Sequence, residues 1–271
     1  MKTITTIAAT AMSIIPAFAS AQEAPNEYFS VTVSGGLIAT PSFLGSSETD
    51  VFAIPNITMS YGDRLTVSLL EGLSYDAYQN ENLTVGALLK YDFGREDSPA
   101  DHELLLSDVA DAEITGLGDI DGTIEVGGYV EYTLGNLQAK LEVRTGVDGG
   151  HDGTVGEFEV AYNMPVEAFG MTSIISFGPT VSFSDDSYAS TFFDVSAAQS
   201  AASGISQYDA DGGIMSYGLH ASAFVPLNQN VSLVGFAEFD KLAGDIGDSS
   251  IVQERGSEDQ VTAGLLINYT F

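Results

Sequence analysis

The chain has 271 residues, of which 38 are Asp or Glu and 8 are Lys or Arg, so its formal charge is -30. This balance excludes ordinary nucleic-acid binding, which depends on clustered lysines and arginines. The lack of cysteine excludes disulfide frameworks, thiolate metal sites and cysteine nucleophiles. Hydrophobic residues still make up 44% of the chain, and its 29 glycines and many tyrosines and phenylalanines favour a β protein rich in turns.

The first 21 residues have the features of a secretory signal peptide. Lys2 gives a short positive start, residues 4–18 carry no charge, and residues 19–21 have the small-x-small form that signal peptidase cleaves. A membrane anchor is the weaker alternative, because the apolar run contains Pro16 and is shorter than the ~20 residues of a spanning helix. The sequence therefore predicts a signal peptide over 1–21 and a mature domain over 22–271.

The mature domain alternates apolar and polar residues with the period of two that is typical of β-strands. Eleven segments show this pattern: 28–39, 51–61, 65–75, 83–93, 122–134, 137–147, 155–164, 173–183, 213–226, 231–241 and 260–271. Their length, roughly 9 to 13 residues, suits tilted transmembrane strands, and their connections alternate between very short and long. The pattern predicts an antiparallel β-barrel in the outer membrane, with apolar residues such as Met215 facing lipid and polar residues lining the interior. Leu266 is the one exception in the last segment.

The number of segments conflicts with the expected topology, because a barrel with both termini in the periplasm needs an even number of strands. The conflict lies in residues 40–82. Continuing the apolar face that begins at Leu65 would place the Glu71 carboxylate in lipid, at a cost of a few kcal/mol. A reversal or bulge near Glu71 and Gly72 resolves it. We therefore expect twelve strands, with ten as the alternative.

Three long segments, 92–121, 184–211 and 243–259, hold 20 of the 38 acidic residues and are expected to be extracellular loops. Within the second, residues 195–203 have helical propensity and end at Gly204, which predicts one short helix over or inside the barrel mouth. The acidic loops either bind divalent cations diffusely, bridging to lipopolysaccharide, or are simply a solvated acidic surface.

The inward face of two neighbouring segments carries charges of both signs. The predicted lumen charge ladder consists of Glu125 and Glu131 on one strand and Lys140, Glu142 and Arg144 on the next. Such a ladder either fills a narrow interior with salt bridges or forms a selectivity ring in a channel.

The sequence offers little for catalysis or cofactor binding. The three histidines, at 102, 151 and 220, are too scattered for the usual zinc spacings. Residues 119–122 resemble the opening of a calcium loop, but the closing Glu does not follow. No Gly-x-Ser-x-Gly motif is present. We therefore predict no enzyme, no cofactor and no metal site. At the carboxyl end, Tyr269 and Phe271 predict a signal read by the outer-membrane assembly machinery.

Several loop motifs carry a family resemblance. They are residues 41–46, 91–95, 116–121, 149–153, 185–193, 195–204, 250–252, 255–257 and 269–271. Together they resemble the MltA-interacting protein family, also called MipA/OmpV. The residues singled out in the loop motifs are Asp119, Asp121, His151, Asp152, Tyr188, Phe192, Phe193 and Gln199.

The resemblance implies a non-enzymatic outer-membrane barrel, surrounded by lipid and lipopolysaccharide. It implies a scaffold that joins a lytic transglycosylase to a bifunctional murein synthase during cell-wall growth, or a surface-interaction role. The family supplies no catalytic residues to transfer. A small cation-preferring channel is the alternative function, since the loops at the mouth are acidic.

Overall fold

The computed structural model describes residues 29–97, 106 and 114–271. The predicted signal peptide lies outside these residues and stays a prediction. The described chain forms a closed antiparallel barrel of twelve strands, in which each strand pairs with the next and β12 closes on β1. The strands are β1 (Phe29–Pro41), β2 (Thr49–Tyr61), β3 (Leu65–Ser68), β4 (Gly72–Gln79), β5 (Leu83–Asp92), β6 (Thr123–Leu134), β7 (Leu137–Asp148), β8 (Thr154–Ala168), β9 (Met171–Ser184), β10 (Gly213–Pro226), β11 (Val231–Leu242) and β12 (Asp259–Thr270). The predicted twelve-stranded barrel is confirmed.

The outer wall is apolar because every second strand residue points away from the lumen. Leu265 and Ile267 on β12 are exposed, whereas Leu266 between them is buried inside. Exposed aromatic side chains mark both rims, with Tyr61 near one end and Tyr217 near the other. Within the described residues, no helix is long and apolar enough to cross a bilayer.

The predicted reversal near Glu71 is confirmed, and it explains the missing strand. β3 and β4 form a hairpin that reaches only part of the height of the barrel, and its turn covers residues 69–71. Gly72 has φ +80°, and a Cβ there would lie 2.1 Å from the Leu89 carbonyl oxygen, so a side chain would collide with β5. β2 pairs with β3 only through residues 58–61. Higher on β2, the Val51 carbonyl instead accepts the Leu106 amide at 2.7 Å.

The two ends of the barrel differ in construction. Short turns at residues 62–64, 80–82, 135–136, 169–170 and 227–230 form what we call the turn side. Asparagine side chains brace these turns against neighbouring strands. Asn82 Nδ2 donates to the Thr133 carbonyl at 2.7 Å, and Asn230 Nδ2 donates to the Thr270 carbonyl at 2.8 Å. Two of the five turns are therefore braced by asparagine, whereas the turn at residues 169–170 exposes the Phe169 ring.

The opposite end carries the long loops, whose described residues form what we call the lid. The lid contains four short helices: α1 (Asp186–Phe193), α2 (Ala197–Ser203), α3 (Gly244–Gly247) and α4 (Ser250–Arg255). The sequence predicts only α2, which is confirmed. Ser196 and Gln199 form its capping box, and Gly204 ends it in the left-handed conformation with φ +77°.

Of the two predicted positions for α2, over or inside the barrel mouth, the structure favours the first, because α2 has no buried residue. The helix in the mouth is α1, which buries Tyr188, Phe192 and Phe193. These rings belong to one apolar cluster with Val155, Met215 and Leu242 from the upper ends of three strands. The lid is therefore packed onto the barrel wall through a hydrophobic core.

Met215 corrects one detail of the predicted strand pattern. The alternation places it on the lipid face, but it is 1% exposed and packs beneath the lid. A β-bulge between Ile214 and Ser216 inserts one extra residue at this point. A bulge re-aims the side chain that it carries, and this is why the simple period of two fails here.

The interior has two unlike halves. The sequence pattern predicts polar residues throughout the lumen, but β1, β2, β11 and β12 place a buried apolar cluster there, which we call the apolar half. Its members are Ile38, Phe52, Ile54, Val234, Phe236 and Leu266, with Leu70 and Phe224 packed against them. Leu266, which breaks the predicted alternation, is therefore a member of an internal core. The facing strands β5 to β8 carry the ionic side chains and form the charged half.

Candidate functional site

Glu142 on β7 is the centre of the charged half. Its carboxylate lies 2.5 Å from Lys90 Nζ, 3.1 Å from Lys140 Nζ and 3.3 Å from Arg144 Nη1. Three strand positions thus converge on one buried carboxylate. The predicted ladder does not include Lys90. Its place in the alternation of β5 nevertheless directs its side chain into the lumen. A buried charge is stable only when it is paired and hydrogen-bonded, and Glu142 meets this condition with three cations.

Arg144 joins Glu142 to Glu125. Its Nε donates to Glu125 Oε2 at 2.7 Å, and both side chains are almost completely buried. A register shift between Ile124 and Glu125 brings the two strands to this arrangement, and Gly127 lies opposite Arg144. The structure therefore brings together Glu125, Lys140, Glu142 and Arg144 of the predicted ladder. Glu131 lies opposite Lys140 in the register, but the ammonium group of Lys140 contacts Glu142 instead.

Tyr129 extends this network toward the turn side. Its hydroxyl donates to Asp76 Oδ1, and its ring lies 5.6 Å from Lys140 Nζ. The ring rests on Gly86, where an added Cβ would stand 2.2 Å from the aromatic carbons. A glycine at this position is therefore a packing requirement of the tyrosine above it.

An acidic cavity lies beneath the lid, between the two halves. Its walls include the carboxyl groups of Glu157, Glu238 and Asp240. Thr180 Oγ1 donates to Asp240 Oδ1 at 3.2 Å. On the adjoining wall, His220 Nε2 lies 3.4 Å from Glu159 Oε1. The sequence predicts none of these six residues as a site, although the side chain of each lies on the inward-facing side of its strand.

A second group of ionisable side chains lies where the charged half meets the lid. Asp92 at the end of β5, Glu125 near the start of β6 and His151 in the β7–β8 loop each offer a ligand atom, and these atoms lie within 4.8 Å of one another. All three residues are buried. The sequence does not predict this group, because its members are far apart along the chain and come together only when the barrel closes. His102 lies outside the described residues.

The aromatic residues of the family motif cover this group. The ring of His151 meets the Tyr188 and Phe192 rings of α1 edge-to-face, at centroid distances of 5.2 and 5.7 Å. Arg95 Nη1 donates to the Phe192 carbonyl at 2.5 Å. Burial lowers the pKa of the Arg95 guanidinium to about 10, although Asp97 acts in the opposite direction. These contacts hold α1 in the mouth.

The other motif residues join the loops to one another. Gln199 Nε2 donates to the Leu117 carbonyl at 2.6 Å, which ties α2 to the β5–β6 loop. Asp119 Oδ1 accepts the Asp97 amide at 2.9 Å. Asp121 and Asp152 are exposed. The motif therefore combines buried anchors with solvent-facing acids.

At the turn side, Tyr269 and Phe271 are exposed on the outer face of β12 and at the chain end. Their rings meet edge-to-face at 4.8 Å. This places an aromatic pair on the outside of the last strand. Its proposed role in assembly stays a prediction.

The chain matches the model of the family described as MltA-interacting protein MipA over residues 33–271. No curated protein matches it. Solved structures that it resembles include Pseudomonas putida OprB at high pH (11% identity, TM-score 0.38, covering 81% of this chain and 59% of that one). OprD of Pseudomonas aeruginosa has 12% identity and a TM-score of 0.36, over 83% of this chain and 60% of that one. Salmonella typhi OmpF in complex with daunomycin has 10% identity and a TM-score of 0.38, over 90% and 97%. The chain spans less than two thirds of OprB and OprD, and at these values the likeness carries no functional information.

Proposed function

This chain belongs to the MltA-interacting protein (MipA) family, and from that premise we propose that it is a non-enzymatic outer-membrane barrel that acts by binding other proteins. The partners implied by the family description are murein enzymes of the MltA type, and a bifunctional murein synthase would be brought to the same scaffold. In this proposal the turn side faces the periplasm and the lid faces the exterior, as short turns and long loops do in such barrels.

The observation that carries the proposal is the filling of the barrel from two directions. The lid is anchored in the mouth by Tyr188, Phe192 and Phe193, and below it the apolar half packs buried side chains into the interior. A conducting pore needs a continuous polar path with room for water. A barrel with a filled interior is better suited to bind partner proteins on its exposed ends than to conduct solutes through its lumen.

The construction of the turn side supports the same proposal. Its turns are short and two of them are braced by asparagine side chains, so that it changes little in shape when a partner binds. A preorganised surface loses less conformational entropy on association than a mobile one. The lid cannot meet a periplasmic enzyme if it faces the exterior.

A small cation-preferring channel is the second candidate, and one observation favours it. Glu157, Glu238 and Asp240 line an internal cavity and give the lumen an acidic segment. Single-channel recording on purified protein in planar bilayers separates the two functions. We expect no conductance steps, and stable cation-selective steps would establish the channel instead.

Binding is tested directly with two matched charge reversals at opposite ends of the barrel. Glu81 is exposed in a turn-side connection, and Asp209 is exposed in the lid. We expect Glu81→Arg to weaken binding of purified barrel to a purified MltA-type transglycosylase, measured by biolayer interferometry in detergent, and Asp209→Arg to leave it unchanged. Absence of binding by the unmodified barrel would refute the scaffold role, and sensitivity to Asp209→Arg alone would refute the proposed orientation.

A further inference from the structure

We propose that Asp92, Glu125 and His151 bind one divalent ion of a first-row transition metal, of the class represented by Zn²⁺. The three residues come from the end of β5, the start of β6 and the β7–β8 loop, and they meet beneath α1. Their ligand atoms lie within 4.8 Å of one another. The site is independent of the proposed scaffold function, since it lies inside the barrel and not on a partner surface.

The first argument is that the polar atoms facing this point form no hydrogen bond. His151 Nε2 and Glu125 Oε1 are buried and lack a hydrogen-bond partner among the described residues. The two residues are 5% and 1% exposed. Leaving such groups unsatisfied costs roughly 1 to 3 kcal/mol each, so native interiors almost always supply a partner. A metal ion between them satisfies the imidazole and the carboxylate together.

The second argument is geometric. His151 Nε2 and Glu125 Oε1 are 3.5 Å apart. Two ligands of one tetrahedral zinc ion, each bonded at about 2.0 to 2.1 Å, are separated by about 3.3 Å. The pair therefore already has the spacing of two ligands of one ion. The ligand atom of Asp92 lies within 4.8 Å of the other two, and an inward movement of up to about 1.7 Å completes the site.

Asp92 is the member of the group whose negative charge has no nearby positive charge. It is 4% exposed, and its Oδ1 accepts the Gly94 amide at 2.7 Å. Within the described part of the chain, no cationic group lies within 4 Å of this carboxylate. A buried carboxylate without a cation is strongly disfavoured. A divalent ion supplies the missing positive charge.

The surroundings hold the ligands in place as supporting groups do in metal sites. Arg144 Nε binds Glu125 Oε2 at 2.7 Å and leaves Oε1 free to face His151. Thr123 Oγ1 accepts the amides of Gly150 and His151 at 2.8 and 3.1 Å, which fixes the loop that carries the imidazole. The Tyr188 and Phe192 rings cover the imidazole and limit access of water.

One imidazole and two carboxylates form a donor set that suits Zn²⁺ and its neighbours better than Ca²⁺ or Mg²⁺, which prefer oxygen ligands alone. Three protein ligands leave one position for water or for a fourth donor. The ion would join the ends of β5 and β6 to the β7–β8 loop directly below α1. Metal binding would therefore also stabilise the lid.

The test is calorimetric titration of Zn²⁺ into the full-length mature barrel, purified in detergent and stripped with a chelator, with millimolar Mg²⁺ present to occupy the acidic surface. His151→Gln and Asp92→Asn remove one ligand each without changing side-chain size greatly. His220→Gln is the matched control, because His220 is also buried and also faces a glutamate. Heat-modifiable gel mobility verifies that each variant is folded.

We expect the unmodified barrel and His220→Gln to bind one equivalent of Zn²⁺ and to gain thermal stability. We expect His151→Gln and Asp92→Asn to bind more than about ten-fold more weakly. Absence of saturable binding by the unmodified barrel would overturn the proposal. So would equal binding by His151→Gln, which would assign the ion to the acidic loops. If His151→Gln does not fold, the affinity of Asp92→Asn and the stoichiometry of the unmodified protein still test whether this site binds the ion.

Discussion

The two halves of the barrel interior are stabilised in opposite ways. The apolar half depends on shape, because side chains such as Phe236 and Leu266 fill volume and lose contacts gradually when trimmed. The charged half depends on pairing, because Arg144 binds both Glu125 and Glu142, and its loss would leave the buried Glu125 without its arginine partner. The comparison teaches that the charged half tolerates substitution of a single side chain less well than the apolar half does.

The largest effect is expected from Arg144→Met. This change leaves Glu125 and Glu142 with fewer cations in a buried site, and it should lower the free energy of unfolding by about 3 to 5 kcal/mol. Far-UV circular dichroism during urea unfolding in lipid vesicles measures it. Adding Glu125→Gln to the same variant should restore part of the loss, because it removes the charge left without a partner. If the double variant is no more stable than Arg144→Met, the pairing argument is wrong.

Leu266→Ala tests the apolar half. Removing a buried leucine leaves a cavity, and we expect a loss of about 2 to 5 kcal/mol in the same unfolding assay. Leu265→Ala is the matched control, because Leu265 is the neighbouring residue but is 59% exposed on the outer wall. Equal losses for the two variants would mean that the interior cluster contributes no more than the lipid-facing surface does.

Asp185 tests the lid, which rests on both halves. Its side chain accepts the Tyr188 amide at 2.9 Å and caps α1, so Asp185→Ala should reduce the local stability of α1 by about 1 kcal/mol. Hydrogen exchange of amides 188–193 at neutral pH measures this change. The barrel strands should keep their protection, and loss of protection throughout the barrel would contradict a local role.

The same residue makes the lid sensitive to acid. Burial raises the pKa of the Asp185 carboxyl, but hydrogen bonds from the Thr154 and Tyr188 backbone groups outweigh burial, and the pKa in the folded protein is lowered. A carboxyl of this kind contributes stability above its unfolded pKa of about 3.9, and this contribution is lost as the pH falls through the folded value. Asp185→Asn should remove this acid dependence while keeping the cap. Proteolysis of the lid across acid pH compares the two proteins.

The smallest effect is expected from Lys241→Met, which sets the baseline for the comparison. Lys241 lies 2.8 Å from Glu258, but both side chains are more than one third exposed. An exposed pair is screened by water and salt. We expect the urea midpoint to stay unchanged within experimental error, and a clear loss would show that the method overstates the cost at Arg144.

The sequence predicts the wall of this barrel well. Side chains alternate between the two faces of every strand, and those on the lipid face must be apolar. It also locates the irregular segment, since Glu71 cannot face hydrocarbon. It fails at Met215, where a single bulge changes the parity of one residue. It also misses α1, because aromatic and hydroxyl side chains have modest helical propensity and only tertiary packing stabilises the helix.

The candidate sites are predictable only in part, for a related reason. Glu125, Lys140, Glu142 and Arg144 lie on adjacent strands, so strand order alone brings them together. Asp92 and His151 approach Glu125 from different connections, and the closure of the ring decides their distance. The apolar half shows the same limit, because isolated inward residues on separate strands give no local sign that they form one cluster.

The β3–β4 hairpin, which stops partway up the wall, makes the ring lower on one side. β8 and β9 have 15 and 14 residues, whereas β3 has 4. A bilayer deforms where the apolar belt of a protein is shorter than its hydrocarbon thickness, by thinning or by allowing the protein to tilt. Lipids next to this hairpin would therefore be compressed relative to those on the far side, so that the protein would impose a thin, oriented patch on the membrane around it.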